Sequence, residues 1–215
     1  MKIGIIGAGN MARAIVIGLI SDKTRPDNIM VSDPNEKKLA ELNRYGIKKG
    51  TNEQVEKFAD VLILAVKPNV YEVVLPEVKD TKKLVVSIAA GISLDYIKSF
   101  LSDAARVVRV MPNTPALAGA GMTAVCSDGA SDSDLETVKS IFSSLGKVLV
   151  TTEKYIDAVC GVSGSGPAYV FTMIDQYLNE IRDSMESAFQ NVSKEGVLAE
   201  ENERRKRNIK SQKSS

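Results

Sequence analysis

The stretch MKIGIIGAGNMA, Met1–Ala12, sets three apolar residues, Ile3, Ile5 and Ile6, directly before Gly7, Ala8, Gly9, Asn10, Met11 and Ala12. Read as strand, turn and helix, it gives each small residue a task. Gly7 allows a tight turn, Gly9 lets the backbone approach a pyrophosphate, and Ala12 lets the helix lie close on the strand. The N–H groups opening that helix, with its dipole, then suit phosphate oxygens. Such a spacing is weak by itself, but here it has context. NMARAIVIGLIS follows with Met11, Ile15 and Leu19 at helical spacing, and the run NIMVSDP then ends in an acid, Asp33, about twenty residues on. A carboxylate there can accept the hydroxyls of an adenosine ribose, which favours NAD. Ser32, Lys37 and Lys38 beside it could instead accommodate the 2′-phosphate of NADP. The plainer reading of Asp33 is a cap for the helix that starts near Asn35.

Working outward, apolar runs keep alternating with helical patterns. NEKKLAELNRYG reads as a helix closed by Gly46. DVLILAVKP, KLVVSIAAG and ARVVRVMPNTP read as β-branched strands closed by Gly or Pro, with helix-like NVYEVVLPEV and SLDYIKSFLS between them. MTAVCSD, the helix DSDLETVKSIFSSLG and the strand KVLVT complete the series. This alternation predicts an α/β fold, a Rossmann-type doubly wound and mainly parallel sheet, over residues 1–152. A hinge and one long helix follow over 153–192. Its apolar residues Val170, Ile174, Tyr177, Ile181, Met185, Ala188 and Val192 share a stripe that a lone helix cannot bury, so a homodimer or larger homo-oligomer is expected. Residues 193–215 are nearly all polar and read as a disordered or fraying tail. The RRKR cluster within it is read as solvated charge, because no aromatic residues interleave it.

Composition narrows the chemistry. The 215 residues carry a net charge of +1 and are 44% hydrophobic. No overall field draws in nucleic acid or a membrane surface, and no apolar run is long enough to cross a bilayer, so a small-molecule substrate is expected. The two cysteines lie far apart with no metal-binding spacing, which fits a reducing, cytoplasmic setting. Histidine is absent altogether. That excludes Ser-His-Asp and Cys-His hydrolases and any His-ligated metal; no metal is expected, and a cofactor must carry the difficult step.

Ligands of such sheets bind where strands end. Ala65, Val66, Lys67 and Pro68 close one strand, and Lys67 is equally readable as an ordinary strand-end charge. SIAAG, with Ala89 and Ala90, offers small residues against which a ring or ribose could lie. Asn113 and Thr114 stand between two prolines, which stiffen the loop and aim an amide and a hydroxyl outward. Ser163, Gly164, Ser165 and Gly166, just before the long helix, could cradle a carboxylate or serve as a flexible hinge.

The blocks IGAGNMA, AVKP, SIAAG, MPNTPA, GAGMTAV and GVSGSGPAYVF, in this order, resemble the pyrroline-5-carboxylate reductase family. The resemblance implies NAD(P)H-dependent reduction of 1-pyrroline-5-carboxylate to L-proline, with NADP or NAD as cofactor and dimerisation through a helical domain. It implies cofactor contacts from Ile6, Gly7, Ala8, Gly9, Asn10, Met11, Ala12, Ser32, Asp33, Asn52, Ala65, Val66, Lys67, Pro68, Ala89 and Ala90. Asn113 and Thr114 would lie near the nicotinamide, with Ser163 and Ser165 leading into the substrate region. The family continues past GPAYVF with more helices and a Ser-Pro-Gly-Gly-Thr loop, whereas the 44 residues after Phe171 hold no such loop. The dimerisation segment is thus expected to be shortened, with cofactor binding intact and turnover reduced. The alternatives are a dinucleotide-binding protein without turnover, or another imine or keto-acid reductase of the same architecture.

Overall fold

The computed structural model describes residues 1–212. Strand β1 (Ile3–Ile6) lies third from one edge of an eight-stranded sheet with order β3-β2-β1-β4-β5-β6-β7-β8. The others are β2 (Ile29–Ser32), β3 (Lys48–Lys49), β4 (Val61–Leu64), β5 (Leu84–Ser87), β6 (Arg106–Met111), β7 (Gly121–Ser127) and β8 (Gly146–Val150). Strands β1 to β6 are mutually parallel. β7 then runs antiparallel to β6 and parallel to β8. The Rossmann-type sheet expected from the sequence is therefore present, with its direction reversed at the β6–β7 boundary. β3, only two lysines long, escaped the sequence reading because it has no apolar alternation.

Helices cover both faces, and the strands sort their side chains accordingly. Ile3, Ile5, Ile63, Val86, Val108 and Val110 point to the face covered by α1 (Asn10–Ser21), α2 (Glu36–Asn43) and α6 (Asp132–Ser143), in a core with Ile15, Leu39 and Phe142. Ile6, Leu62, Leu64, Val85 and Val107 point to the other, where α3 (Asn52–Phe58), α4 (Tyr71–Glu77), α5 (Leu94–Lys98) and α7 (Ile156–Val159) bring Val55, Leu75, Ile97 and Ile156. Helix starts follow their chemistry. Thr51 with Gln54 and Ser131 with Asp134 close reciprocal capping boxes on α3 and α6. Asp134, buried, is also paired with Arg106 at the start of β6.

The chain forms two compact units, Met1–Pro167 and the residues from Ala168 on. The sequence reading put that boundary at 152; the segment 153–167 instead belongs to the first unit, because Ile156 is fully buried in its core. Helix α8 runs from Gly166 to Gln212. The tail read as disordered over 193–215 is thus helical as far as Gln212, and 213–215 lie outside the described residues. Strong helix formers, with Glu200 and Glu201 each four residues ahead of Arg204 and Arg205, favour helix without any apolar stripe. No helix among the described residues is long and apolar enough to cross a membrane.

On the α4 face, the Tyr71 hydroxyl donates to Leu64 O at 3.1 Å and lies 2.9 Å from Ser87 Oγ, pinning the ends of β4 and β5 together. Burial pushes the Tyr71 pKa up to about 12, against a small opposing pull from its Ser87 hydrogen bond. The folded state thus holds this proton more tightly than the unfolded chain does, so the contribution is complete below pH 10 and is lost as pH rises from 10 to 12. Urea unfolding should show the parent losing about 1 kcal/mol more stability between pH 9 and pH 11 than Tyr71→Phe loses. Equal losses would show that Tyr71 titrates as it does in the unfolded chain.

Candidate functional site

The crevice opens where the chain order reverses, between β1, which hydrogen-bonds to β2 on one side, and β4 on its other. Gly7 makes the turn out of β1. Its φ is +104°, and a Cβ there would stand 2.5 Å from the Ala65 carbonyl oxygen. Its N–H donates to Ser32 O at 2.7 Å, and the Ala65 N–H donates to Ile6 O at 2.8 Å. Gly9, the N-cap of α1, is different: its φ is an ordinary −77° and a Cβ there would meet nothing within 4 Å. Neither backbone strain nor neighbouring atoms demand glycine at position 9. The open space above it is what a diphosphate on the helix N-terminus needs. Behind the turn Ala12 is fully buried, as close packing of α1 requires, while Asn10 is exposed and Met11 partly so.

Beside the turn lies a cavity of about 710 Å³, lined on one side by Ser32, Asp33 and Asn52 and on the other by Val66, Val70 and Glu77. Of the expected cofactor residues, Ile6, Gly7, Ser32, Asp33, Asn52 and Val66 are gathered here. Asp33 is held in place by two backbone donors: Oδ2 accepts from Ala8 N–H and Oδ1 from Asn35 N–H, each at 2.8 Å. It ties the end of β2 to the phosphate turn, and the cap of α2 is Asn35, whose Oδ1 accepts from the N–H groups of Lys37 and Lys38. The Ser32 hydroxyl donates to Asn52 Oδ1 at 2.6 Å, and Asn52 Nδ2 donates to Glu77 Oε2 at 2.7 Å. That second contact fixes which way the amide faces. Glu77 was not singled out in the sequence because its partner lies 25 residues away with no local pattern linking them.

The other expected residues follow the neighbouring strands. Lys67 precedes a 3-10 turn, Pro68–Val70, that leads into α4. Ala89 is buried and Ala90 exposed in the turn after β5. Beyond β6, Asn113 accepts from Met122 N–H at 2.9 Å and donates through Nδ2 to Ser163 O at 3.1 Å and Ser163 Oγ at 3.3 Å. Thr114 is exposed and starts the 3-10 turn Thr114–Ala118. Ser163 and Gly164 lie in a π-helical turn, Cys160–Gly164. The N–H and hydroxyl of Ser165 are both spent on Cys160 O, so the run of free backbone donors imagined for a carboxylate cradle is reduced.

Arg109 is a further charged residue that carries no local signal of its partners. Inside the β-branched run of β6, it is 2% exposed and pairs with Glu153 at 3.0 Å and Asp157 at 2.6 Å. An arginine at a core position of a strand was the signal available, because buried charge must be paired.

A family model described as NADP oxidoreductase coenzyme F420-dependent matches residues 2–91. A pyrroline-5-carboxylate reductase of Synechocystis sp. is 43% identical over 181 residues, 81% of this chain and 67% of that protein. The chain belongs to the pyrroline-5-carboxylate reductase family. A solved pyrroline-5-carboxylate reductase from Coxiella burnetii shares 38% identity with a TM-score of 0.76, over 81% of this chain and 68% of its own. The Plasmodium falciparum pyrroline carboxylate reductase, solved with NADP bound, shares 30% identity with a TM-score of 0.77, over 84% of this chain and 68% of its own. Family membership makes the chain an NAD(P)H-dependent oxidoreductase.

The two glycines of the turn should separate on substitution. Gly9→Val should cost only about 1 kcal/mol of stability, for a poorer N-cap residue, while losing roughly 2 kcal/mol or more of NADPH and NADH affinity, since the ligand's space is filled. Gly7→Ala should instead lower stability by more than about 2 kcal/mol, through positive φ and the clash with Ala65. Calorimetry and thermal unfolding on both variants check this; unchanged nucleotide affinity in Gly9→Val would remove the phosphate assignment.

Proposed function

We propose that this chain reduces the cyclic imine 1-pyrroline-5-carboxylate to L-proline with NADPH or NADH, and the observation that carries the reading is the cradle at Gly9 opening beside the cavity of Ser32, Asp33 and Asn52. When bound, the reduced nicotinamide supplies the hydride for the imine carbon. The residues of the chain do the holding. The turn Gly7–Ala12 and the start of α1 take the diphosphate, and the cavity takes the adenosine. Ala65 to Pro68 and Ala89 with Ala90 line the path towards the end of β6. There Asn113, fixed by the Met122 N–H, carries Ser163. Asn113 and the hydroxyls of Thr114, Ser163 and Ser165 are the groups we assign to the nicotinamide end and to the nitrogen and carboxylate of the imine. No histidine is needed, because orienting imine and hydride donor together lowers the barrier most. Two free cysteines, Cys126 and Cys160, support a reducing, cytoplasmic setting.

A panel of cyclic imines and keto acids, each with NADPH and NADH, tests the assignment. Oxidation of the dinucleotide should be fastest with 1-pyrroline-5-carboxylate. Preference for a keto acid, or binding of dinucleotide without turnover on any substrate, would overturn it. In the same assay Asp33→Ser should move the preference towards NADPH, because its carboxylate on the cavity wall repels a 2′-phosphate; no shift would leave Asp33 only its backbone contacts.

We further propose that copies of the chain associate through α8. Ile174, Ile181 and Met185 are 47%, 41% and 55% exposed, and Tyr169, Phe171 and Phe189 are exposed as well, an apolar surface too extensive to face water. Light scattering should give at least a dimer, and Ile174→Asp with Ile181→Asp should give monomers or aggregates. A well-behaved monomeric parent would exclude association.

A further inference from the structure

Three residues two apart on β6 and its extension, Arg109, Met111 and Asn113, meet successive parts of the segment that ends in the π-turn. The guanidinium of Arg109 donates through Nη1 to Glu153 Oε1 at 3.0 Å and through Nη2 to Asp157 Oδ1 at 2.6 Å. Met111 Cε stands 3.0 Å from where a Cβ on Gly164 would be. Asn113 holds Ser163 through both its carbonyl and its hydroxyl. Alternate residues of a strand share one face, so β6 presents a row of anchors along which 153–164 is laid. Leu94 N–H reinforces the first of these, donating to the same Glu153 Oε1 at 2.7 Å and tying in the start of α5.

From this row we infer that Arg109 is a positioning residue for the substrate end of the site: bridging Glu153 and Asp157, it sets where the Cys160–Gly164 turn presents Ser163 to Asn113. The inference rests on the reductase reading of that turn. A planar guanidinium can hold two carboxylates at fixed separation, whereas an ammonium is a single point of charge. Arg109 itself is buried, so its charge depends on these two acids, whereas Asp157 is exposed and Glu153 keeps a second donor in the Leu94 N–H. None of these groups lines the adenosine cavity, which lies at β2 and the β4–α4 connection. The two halves of the site are therefore separable: loosening the bridge should disturb imine binding and leave dinucleotide binding alone.

The experiment uses the full chain, with Arg109→Lys to keep the charge and lose the bridge, and Asp157→Asn to loosen one arm of it. In both variants the KM for 1-pyrroline-5-carboxylate, and the Kd for L-proline in the presence of NADP, should rise about tenfold or more, as a misplaced turn requires. NADPH affinity should stay within about twofold of the parent, since the phosphate turn is untouched. Hydrogen exchange should quicken at residues 160–164 and not at the amides of β1 and α1. A merely structural role for Arg109 would lower NADPH affinity in step with imine affinity, and that result overturns the inference. So does an unchanged imine KM in both variants, or unchanged exchange at 160–164. If the parent binds NADPH but neither reduces the imine nor binds proline, the reductase reading fails, and the exchange comparison still decides whether Arg109 fixes the turn.

Discussion

The close approach of the Ala65 carbonyl to Gly7 is the constraint on which the rest of the site depends. Two parallel strands leave the sheet in the same direction here, and their following turns compete for one space. A side chain at position 7 would force them apart. Glycine lets the backbone of β4's exit lie against the exit of β1, with Ile6 and Ser32 carbonyls taking the N–H groups that the turns release. With the turns so pinned, α1 starts directly after the turn, and Asp33 can reach across to Ala8. The turn is thus held by its own backbone contacts, and pre-organisation of that kind reduces the ordering cost of binding a ligand.

The end we assign to substrate is built on a different principle: long-range polar contacts organise it, through Asn113 and Arg109. Their cost is desolvation, offset only when every partner is present. The contrast between a backbone-made half and a side-chain-made half explains why one half was far easier to read than the other.

Local pattern made the first half legible. Gly7, Gly9 and Ala12 are punctuation set at fixed spacing behind an apolar run, and the alternation of strands and helices is written in periodicities of two and three to four. What the sequence could not disclose was pairing between distant residues. Whether Asp33 serves a ribose or a helix start is open in the sequence; the structure gives its two oxygens to the N–H groups of Ala8 and Asn35, sets it on the cavity wall, and leaves the capping of α2 to Asn35. Glu77 behind Asn52 and the two acids on Arg109 carry no spacing signal at all. The reversal at β7 was equally silent, because a strand's own residues are alike whichever way it runs. Helicity beyond Ser193 is silent for the opposite reason: propensity and charge spacing favour helix there without any apolar periodicity.

That reversal has a consequence for the order of assembly. Because β7 and β8 run against the other strands, the chain leaves β8 heading away from the crevice end of the sheet and must return along β6 before it can reach Asn113. The bond from Arg109 to Asp157 spans 48 residues, and that from Asn113 to Ser163 spans 50. Closing loops of that size is entropically unrewarded until the intervening hairpin-like reversal, α6 and β8 are in place. The phosphate turn, by contrast, closes within β1 and α1 and their immediate neighbours in the sheet. The molecule is therefore arranged so that the turn at Gly7 can form early and the segment 153–164 docks after the strands between are in place.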